Sequence, residues 1–493
     1  MDGWKKRAAE HGTPIKTVCI LLPEGTSLFW KVYYSFTILL HHVLHRNFMF
    51  RGVTFECCEQ IINTTGFSKT GQYIADACTD VMDEIRSHAP AVSVSGFIMD
   101  SASANRSAMA NLDESHTYTE QYGPLVNLQC LSHTLSFLLK DLDKRFEWVK
   151  SVYDDVLFVS TAINGAEALR DQFTQAVAST GGTSPSIATH CDTHFGSKFL
   201  VLLSVLAKED SLVAMGGASS FMQLVQEKND SAAKLHQILI SKHGTEECLV
   251  ERARLVKALC DPIMSAMIAV EADKAQLPRI LPLLNQLEAH AYDFSTQHEP
   301  YTTGSIGKQN APPETTTMVK TFTSRLYDFY YKPSVSAASL LDPLNFQKDE
   351  TDVLQLVYAS MLPIEQQDAA SDIQRLGGEL AVRELASIRN FGFIGLDLDP
   401  LDEVTLQDCV SVVLEDTSDG QTQQKAAPIH HRRQLWLTVL SKKYPNLAKV
   451  AAQYLGMHGT FCASERNLSA LGRLYDKSLQ SASHLELKMP QGQ

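Results

Sequence analysis

The chain has 493 residues, 44% of them hydrophobic and 20% charged, which is typical of a globular protein with a substantial core and allows about two to four domains. Its 43 Lys and Arg and 56 Asp and Glu give a net charge of −13, which argues against a free-standing DNA-binding module because phosphate binding depends on cationic side chains. The 10 cysteines include no Cys-x-x-Cys pair, so neither a zinc finger nor a disulfide framework is indicated.

Hydropathy adds two expectations about location. No apolar run reaches about 18 residues, so we expect no membrane span, and no apolar signal-peptide core follows the N-terminus. The scattered cysteines favour an intracellular, reducing compartment.

Residues 1–144 are predicted to form an α/β domain. Two β-rich runs, 16–22 and 28–34, flank a Pro-Glu-Gly-Thr turn and predict a hairpin. A third strand is expected at 48–55, after a helix before residue 46. Apolar residues at helical spacing predict a helix over 68–88, and a strand over 92–99 leads into Asp100. Such strand ends are where α/β folds place their sites.

The periodicity then changes to that of helices. Residues 145–390 predict a large helical domain, with helices at 146–163, 166–177, 198–207, 249–272 and 318–331. Residues 391–428 are acidic and predict a solvated connector with one short helix near 404–414. Helix resumes near His430 and continues through the last segment, 429–493.

Three carboxylates are candidate metal ligands, and each also has a simpler interpretation. Asp100 precedes small residues after an apolar strand, so it could bind a hard divalent cation or cap a helix. Asp2 lies at the N-terminus, where a disordered end is an equally good interpretation. Glu465 adjoins Arg466 on a predicted helix, and an exposed pair of that kind is usually a solvated face.

Two further motifs have similar alternatives. Cys130 and His133 form a Cys-x-x-His, but a zinc site needs about four ligands. A buried Cys and a hydrogen-bonded His at the head of a helix would explain the pair equally well. The run His430-His431-Arg432-Arg433 could contact phosphate or simply open a helix.

Taken together, six motifs resemble, in order, those of the hAT family of transposases. They are Asp2-Gly3-Trp4; Asp100 with Asn105; Cys130-x-x-His133; Asp192-Thr193-His194-Phe195-Gly196-Ser197; Leu341-Asp342-Pro343; and the C-terminal set Trp436, Tyr444-Pro445, Leu447-Ala448 and Ser464-Glu465-Arg466-x-x-Ser469.

The resemblance implies an α/β plus all-α fold, in which an RNase H-like mixed sheet is interrupted by a large helical insertion domain (145–390) and closed by C-terminal helices. It implies that Asp2, Asp100 and Glu465 are an Asp-Asp-Glu triad that binds Mg²⁺ or Mn²⁺. Two such ions about 3.5–4 Å apart can activate a water or a 3′-hydroxyl and stabilise the leaving oxygen of a phosphodiester. Residues 429–493, which carry Glu465, would be the hAT dimerisation region.

Other roles follow from the same resemblance. It implies a nuclear protein that contacts DNA through His194, Phe195 and Arg466. It also implies structural roles for Cys130, His133 and Trp436.

The chain departs from the family pattern at several positions. It begins at the first triad residue, without the family's zinc-finger domain. His194 and Phe195 stand where the family has Arg and Trp, and His lacks the permanent charge and fork geometry of Arg. Leu468 replaces an expected Phe. We therefore expect a truncated or transposase-derived protein with impaired catalysis.

Two functions remain open beside an unrelated helical scaffold. The first is a transposase-derived protein with metal-dependent DNA strand cleavage and transfer. The second is a non-catalytic interaction protein that forms a homodimer or higher homo-oligomer through its C-terminal helices, whose apolar residues fit such an interface. These residues are Leu435, Trp436, Val439, Leu440, Leu447, Val450, Ala451, Tyr454 and Leu455.

Overall fold

A computed structural model describes the backbone of much of the chain. The described residues are 2–5, 14–21, 27–34, 46–50, 53–57, 60–63, 70–88, 94–114, 123–182, 184–191, 196–227, 229–240, 248–271, 277–298, 314–348, 354–356, 361–393, 396, 400–410, 413–416, 422–425 and 429–460. Within these ranges, side chains are described only from residue 70 onward. The side chains of residues 314, 315, 400, 401, 407, 408, 410, 413–416 and 422–425 are exceptions and are not described. The helix predicted before residue 46, and the candidates His194, Phe195, Glu465 and Arg466, lie outside these ranges.

The residues that the structure describes before residue 64 all lie in strands. They are β1 (Asp2–Lys5), β2 (Pro14–Leu21), β3 (Ser27–Tyr34), β4 (Arg46–Phe50), β5 (Val53–Cys57) and β6 (Gln60–Asn63). β2 and β3 pair antiparallel, which confirms the predicted hairpin. The prediction of one continuous strand at 48–55 is wrong, because this segment forms two strands, β4 and β5, that pair antiparallel with each other. Gly52 lies between these two halves, and glycine weakens a continuous strand.

A small α/β layer follows. It contains α1 (Gly71–His88), β7 (Gly96–Met99), α2 (Ser103–Glu114) and β8 (Val126–Gln129). The strands β7 and β8 are parallel, and Gly96 permits their close approach because a Cβ there would lie 1.8 Å from the Val126 oxygen. Buried apolar residues of both helices, including Ile74, Met82 and Met109, form one cluster with Met99 of β7. This cluster fixes the strand end that leads to Asp100.

The chain divides into two compact units, of which the second comprises residues 132–269 and 284–329. Its helices have the alternating three- and four-residue apolar spacing of amphipathic helices, as at Val149, Val152, Val156 and Val159, all fully buried. The helices are α3 (Leu131–Arg145), α4 (Glu147–Gly165), α5 (Glu167–Ser179), α6 (Ser197–Leu206), α7 (Glu209–Gly217), α8 (Ser219–Gln226), α9 (Asp230–Leu239), α10 (Leu249–Val270), α11 (Ile280–Gln297) and α12 (Glu314–Thr323), which continues as the π-helical segment Ser324–Tyr330.

The first unit comprises residues 1–131, 270–283 and 330–493. Its later part contains the 3₁₀ turns Leu277–Arg279, Pro343–Asn345 and Leu440–Lys442, the strands β9 (Phe346–Lys348), β10 (Leu354–Leu356), β11 (Val413–Asp416) and β12 (Thr422–Lys425), and the helices α13 (Pro333–Leu340), α14 (Pro363–Phe391), α15 (Pro400–Val410), α16 (Ile429–Thr438) and α17 (Pro445–Leu455). The predicted acidic connector holds the expected short helix, α15, and also an antiparallel strand pair, β11 with β12, that the charge pattern did not indicate.

The described fold is mostly helical with small sheets. Its strands form one four-stranded sheet, in the order β1-β2-β3-β6, and four two-stranded sheets. β1, which carries Asp2, pairs with β2, whereas β7, which precedes Asp100, pairs with β8. A single RNase H-like mixed sheet is therefore not seen among the described strands, and it stays a prediction, as do the four domain boundaries. No helix in the described ranges is both long and apolar enough to cross a membrane.

Candidate functional site

Asp100 lies at the turn between β7 and α2, where two donors orient its side chain. Its Oδ1 accepts hydrogen bonds from the Ala102 backbone N–H at 2.8 Å and from Asn105 Nδ2 at 2.7 Å. This is the helix-capping geometry expected of Asp before small residues. Because both bonds reach Oδ1, the second oxygen, Oδ2, accepts none from the described residues and could bind a cation.

The other two members of the predicted triad cannot be placed beside Asp100. Asp2 opens β1, opposite Thr17 of β2, and its side chain is not described. Glu465 lies outside the described residues. Within the described part of the chain, no three His, Cys, Asp or Glu residues are grouped to hold a metal ion. The triad thus stays a prediction.

Cys130 and His133 lie where the sequence indicated, at the start of a helix. Cys130 is fully buried, its N–H donates to the Met99 oxygen at 2.8 Å, and α3 begins at the next residue. His133 lies in the first turn of α3 and is half-buried. Their predicted structural role stays a prediction.

The Leu-Asp-Pro motif and Trp436 meet in the first unit. Trp436 on α16 is fully buried, and its Nε1 donates to the Leu341 oxygen at 2.9 Å. The ring packs edge-on against Phe346 and Phe393, with centroids 5.9 Å and 6.2 Å away. Two motifs whose bonded residues are 95 positions apart in the sequence therefore form one cluster.

A buried ion pair joins the same two segments. Arg432 on α16 donates through Nη1 to Asp342 Oδ2, and the side chains are only 1% and 4% exposed. Asp342 Oδ1 accepts from the Leu344 N–H at 3.2 Å. Burial and then the neighbouring Arg432 lower the pKa of Arg279, whereas Asp342 raises it. Asp342 is thus the counter-ion of Arg432, and its charge also favours the charged form of Arg279.

Helix α17 is anchored to α14 at both ends. Glu384 accepts hydrogen bonds from the N–H groups of Asn446 and Leu447, at 3.1 and 2.7 Å, which satisfies the free N–H groups of the helix start and complements its dipole. Near the other end, the Tyr454 hydroxyl donates to Asp372 at 2.5 Å. Between them, Gly377 keeps the helices close, because a Cβ there would lie 2.6 Å from Val450 Cγ2.

The same helix contacts the layer that carries Asp100. Gln453 donates through Nε2 to the Ser95 oxygen at 3.0 Å, just before β7. After α17, the Gly459 oxygen accepts from the Leu131 N–H at 3.0 Å, just after β8. The C-terminal helices therefore hold the small parallel sheet in place.

Residues 426–489, which include α16 and α17, match the model of the hAT family C-terminal dimerisation region. This match supports a relation of the chain to hAT-family transposases. A comparison with curated proteins finds no match.

The hAT dimerisation region is, in its described part, a component of the chain's own core. All nine apolar residues predicted to face a second copy, from Leu435 to Leu455, are at most 2% exposed. The prediction that these residues form the dimer interface is therefore wrong. Amphipathic spacing shows that a helix face is covered, but not whether its own chain or another copy covers it.

Sequence reasoning missed the polar residues that hold the region in place. Glu384, Asp372 and Arg432 form hydrogen bonds with residues that lie 62, 82 and 90 positions away in the sequence. Local residue spacing therefore could not identify Glu384 or Asp372 as functional. Arg432 belongs to the basic run His430–Arg433, whose pattern indicates either phosphate contact or the start of a helix. The signal available was its position four residues before Trp436, on the face of α16 that is buried.

Proposed function

We propose that this hAT transposase-related protein self-associates through its C-terminal region and acts on DNA in the nucleus, with Asp100 as one ligand of a divalent metal. The observation that carries the proposal is the pairing of the hAT dimerisation region with an oriented carboxylate at a strand end. α17 and the segment after it bond to the layer that holds this carboxylate. The dimerisation region and Asp100 lie in the same unit, which supports a link between self-association and metal binding.

The fit of Asp100 to a hard cation rests on its two oxygens. One is held by Ala102 and Asn105, which fixes the carboxylate, and the other accepts no hydrogen bond from a described residue. Mg²⁺ and Mn²⁺ prefer such oxygen ligands. Asp2 and Glu465 would complete the set, and the bound metal would supply Lewis acidity for phosphodiester cleavage.

Calorimetric titration of the full chain with Mn²⁺ tests the metal ligand. Asp100→Asn is the sharpest variant, because an amide oxygen can still accept from Ala102 and Asn105 while the charge is lost. We expect wild-type binding to be lost in this variant and kept in Asp80→Asn, which removes an exposed carboxylate from α1 of the same unit. Equal binding by wild type and Asp100→Asn would refute the assignment.

Light scattering on the same samples tests self-association. We expect a mass of at least two chains for wild type and for Asp100→Asn, since the metal ligand is not needed for contact between copies. A dimer that binds no Mn²⁺ would instead support a non-catalytic interaction protein. A monomer at all concentrations would contradict the proposed self-association.

A further inference from the structure

An antiparallel helix pair in the second unit carries a regular series of polar and aromatic contacts. Arg145 of α3 donates to the Thr321 hydroxyl of α12 at 3.2 Å. Asp141, four residues before Arg145 on α3, accepts hydrogen bonds from Arg325, which lies four residues after Thr321. A further four-residue step pairs Phe137 with Phe329, whose ring centroids are 6.5 Å apart at 87°. The π-helical segment Ser324–Tyr330 provides Arg325 and Phe329, and π-helical turns are frequent at functional sites.

Arg325 is fixed at the centre of this series. Asp141 Oδ2 accepts from its Nε at 2.9 Å and its Nη2 at 2.7 Å. The guanidinium carbon lies 4.6 Å from the Phe329 ring centroid and 5.4 Å from that of Phe137. The side chain is still 21% exposed. Phe137, Arg325 and Phe329, which we call the stacking platform, thus present a planar cation whose orientation is already set.

One cation lies beside the stacking platform, and others are exposed on the two helical segments that carry it. Lys140 lies 5.4 Å from the Phe137 ring centroid, and Lys144 follows one turn later on α3, at the position that shares the face of Phe137. Lys140, Lys144, Arg145 and Lys320 are all exposed. Asp141 is engaged by Arg325, so Asp328 is the exposed acid of the π-helical segment. Among the described side chains of these two helical segments, exposed cations therefore outnumber exposed acids, in a protein whose net charge is −13.

We propose that this face binds single-stranded DNA, with a base stacked on the stacking platform and backbone phosphates on the surrounding lysines. Single strands are bound by grooves that combine cations with planar groups on which bases stack, and Arg planes serve this purpose as aromatic rings do. A duplex keeps its bases stacked on one another and offers none to the platform. The choice of DNA rests on the proposed function, whereas the stacking chemistry rests on this face alone.

Fluorescence anisotropy with the full chain and a labelled oligothymidine of about 15 nucleotides tests the proposal, in EDTA so that no metal contributes. Lys144→Ser with Lys320→Ser removes two exposed charges, and we expect about ten-fold weaker binding with a salt slope smaller by about 1.4. The matched control is Lys150→Ser with Lys234→Ser, two exposed lysines elsewhere in the same unit. This control should bind as wild type does.

A second variant and a second ligand isolate stacking from charge. Arg325→Lys keeps the charge but removes the plane, so we expect binding to the oligothymidine to weaken about five-fold to a hundred-fold. Binding to an abasic strand of equal length should start weaker and change little. Equal wild-type affinity for both strands, or equal loss in the test and control lysine pairs, would overturn the proposal. Tighter binding to an oligouridine would overturn the choice of DNA. Mn²⁺ binding at Asp100 is measured separately, so either proposal can fail alone.

Discussion

Removal of the charge on Asp342 is expected to destabilise the first unit by about 3–5 kcal/mol, the usual cost of breaking a buried ion pair from one side. Asp342→Asn keeps the size of the side chain and the oxygen that accepts from the Leu344 N–H. What is lost is the carboxylate that faces Arg432, whose side chain is 1% exposed. The neighbouring Arg279, whose pKa burial and Arg432 already lower, adds to the uncompensated positive charge.

Urea unfolding followed by near-UV circular dichroism measures this loss, because Trp436 is buried one turn from Arg432. The matched control is Glu379→Gln, which breaks an ion pair with Arg383 whose side chains are 76% and 74% exposed. Such exposed pairs contribute about 0–1 kcal/mol, so the control should unfold near the wild-type midpoint. A double change, Asp342→Leu with Arg432→Met, should recover much of the stability. If Asp342→Asn and the control unfold at the same midpoint, the reasoning is refuted.

Two more substitutions probe the contact between α14 and α17. Gly377→Ala places a Cβ 2.6 Å from Val450 Cγ2 and should lower the free energy of unfolding by about 1–3 kcal/mol. The control is Gly217→Ala on α7, whose Cβ would have no neighbour within 4 Å. In thermal unfolding this control should be neutral or slightly stabilising. Burial, and after it the charge of Asp372, raise the pKa of Tyr454. The stability that the protonated Tyr454 hydroxyl contributes is therefore complete below about pH 10 and is lost as the pH rises above that value. Tyr454→Phe should lower the urea midpoint at neutral pH and make its fall with alkaline pH shallower, and an unchanged slope would contradict this.

Local elements were predictable because their signals are local. The helices predicted at 146–163 and 166–177 occur as Glu147–Gly165 and Glu167–Ser179, since alternating three- and four-residue apolar spacing decides which face is buried. The hairpin of β2 and β3 followed from two β-rich runs around a Pro-Glu-Gly-Thr turn. The strand pair β11 with β12 was missed because its acidic and polar residues have no apolar alternation.

The site was predictable only in part, since its contacts are long-range. The motifs selected Asp100 and Trp436, and the structure places both in the first unit. The link between Leu341 and Trp436 spans 95 residues, and no spacing rule reports which distant segment fills the space beside a tryptophan. The role of Glu384 at the start of α17 was equally hidden, because nothing in its own neighbourhood distinguishes it from a solvated glutamate.

The burial of α16 and α17 changes how loss of self-association must be interpreted. A charge placed at Leu447 or Leu455 would enter the core of the first unit, where both residues are fully buried, and would unfold the unit instead of separating two folded copies. A monomeric variant of this kind would therefore say nothing about contact between copies. Evidence for an interface needs variants at exposed positions whose unfolding midpoints match that of the wild type. By that criterion, residues of the hAT dimerisation region that contact another copy must differ from the nine apolar positions of its described helices.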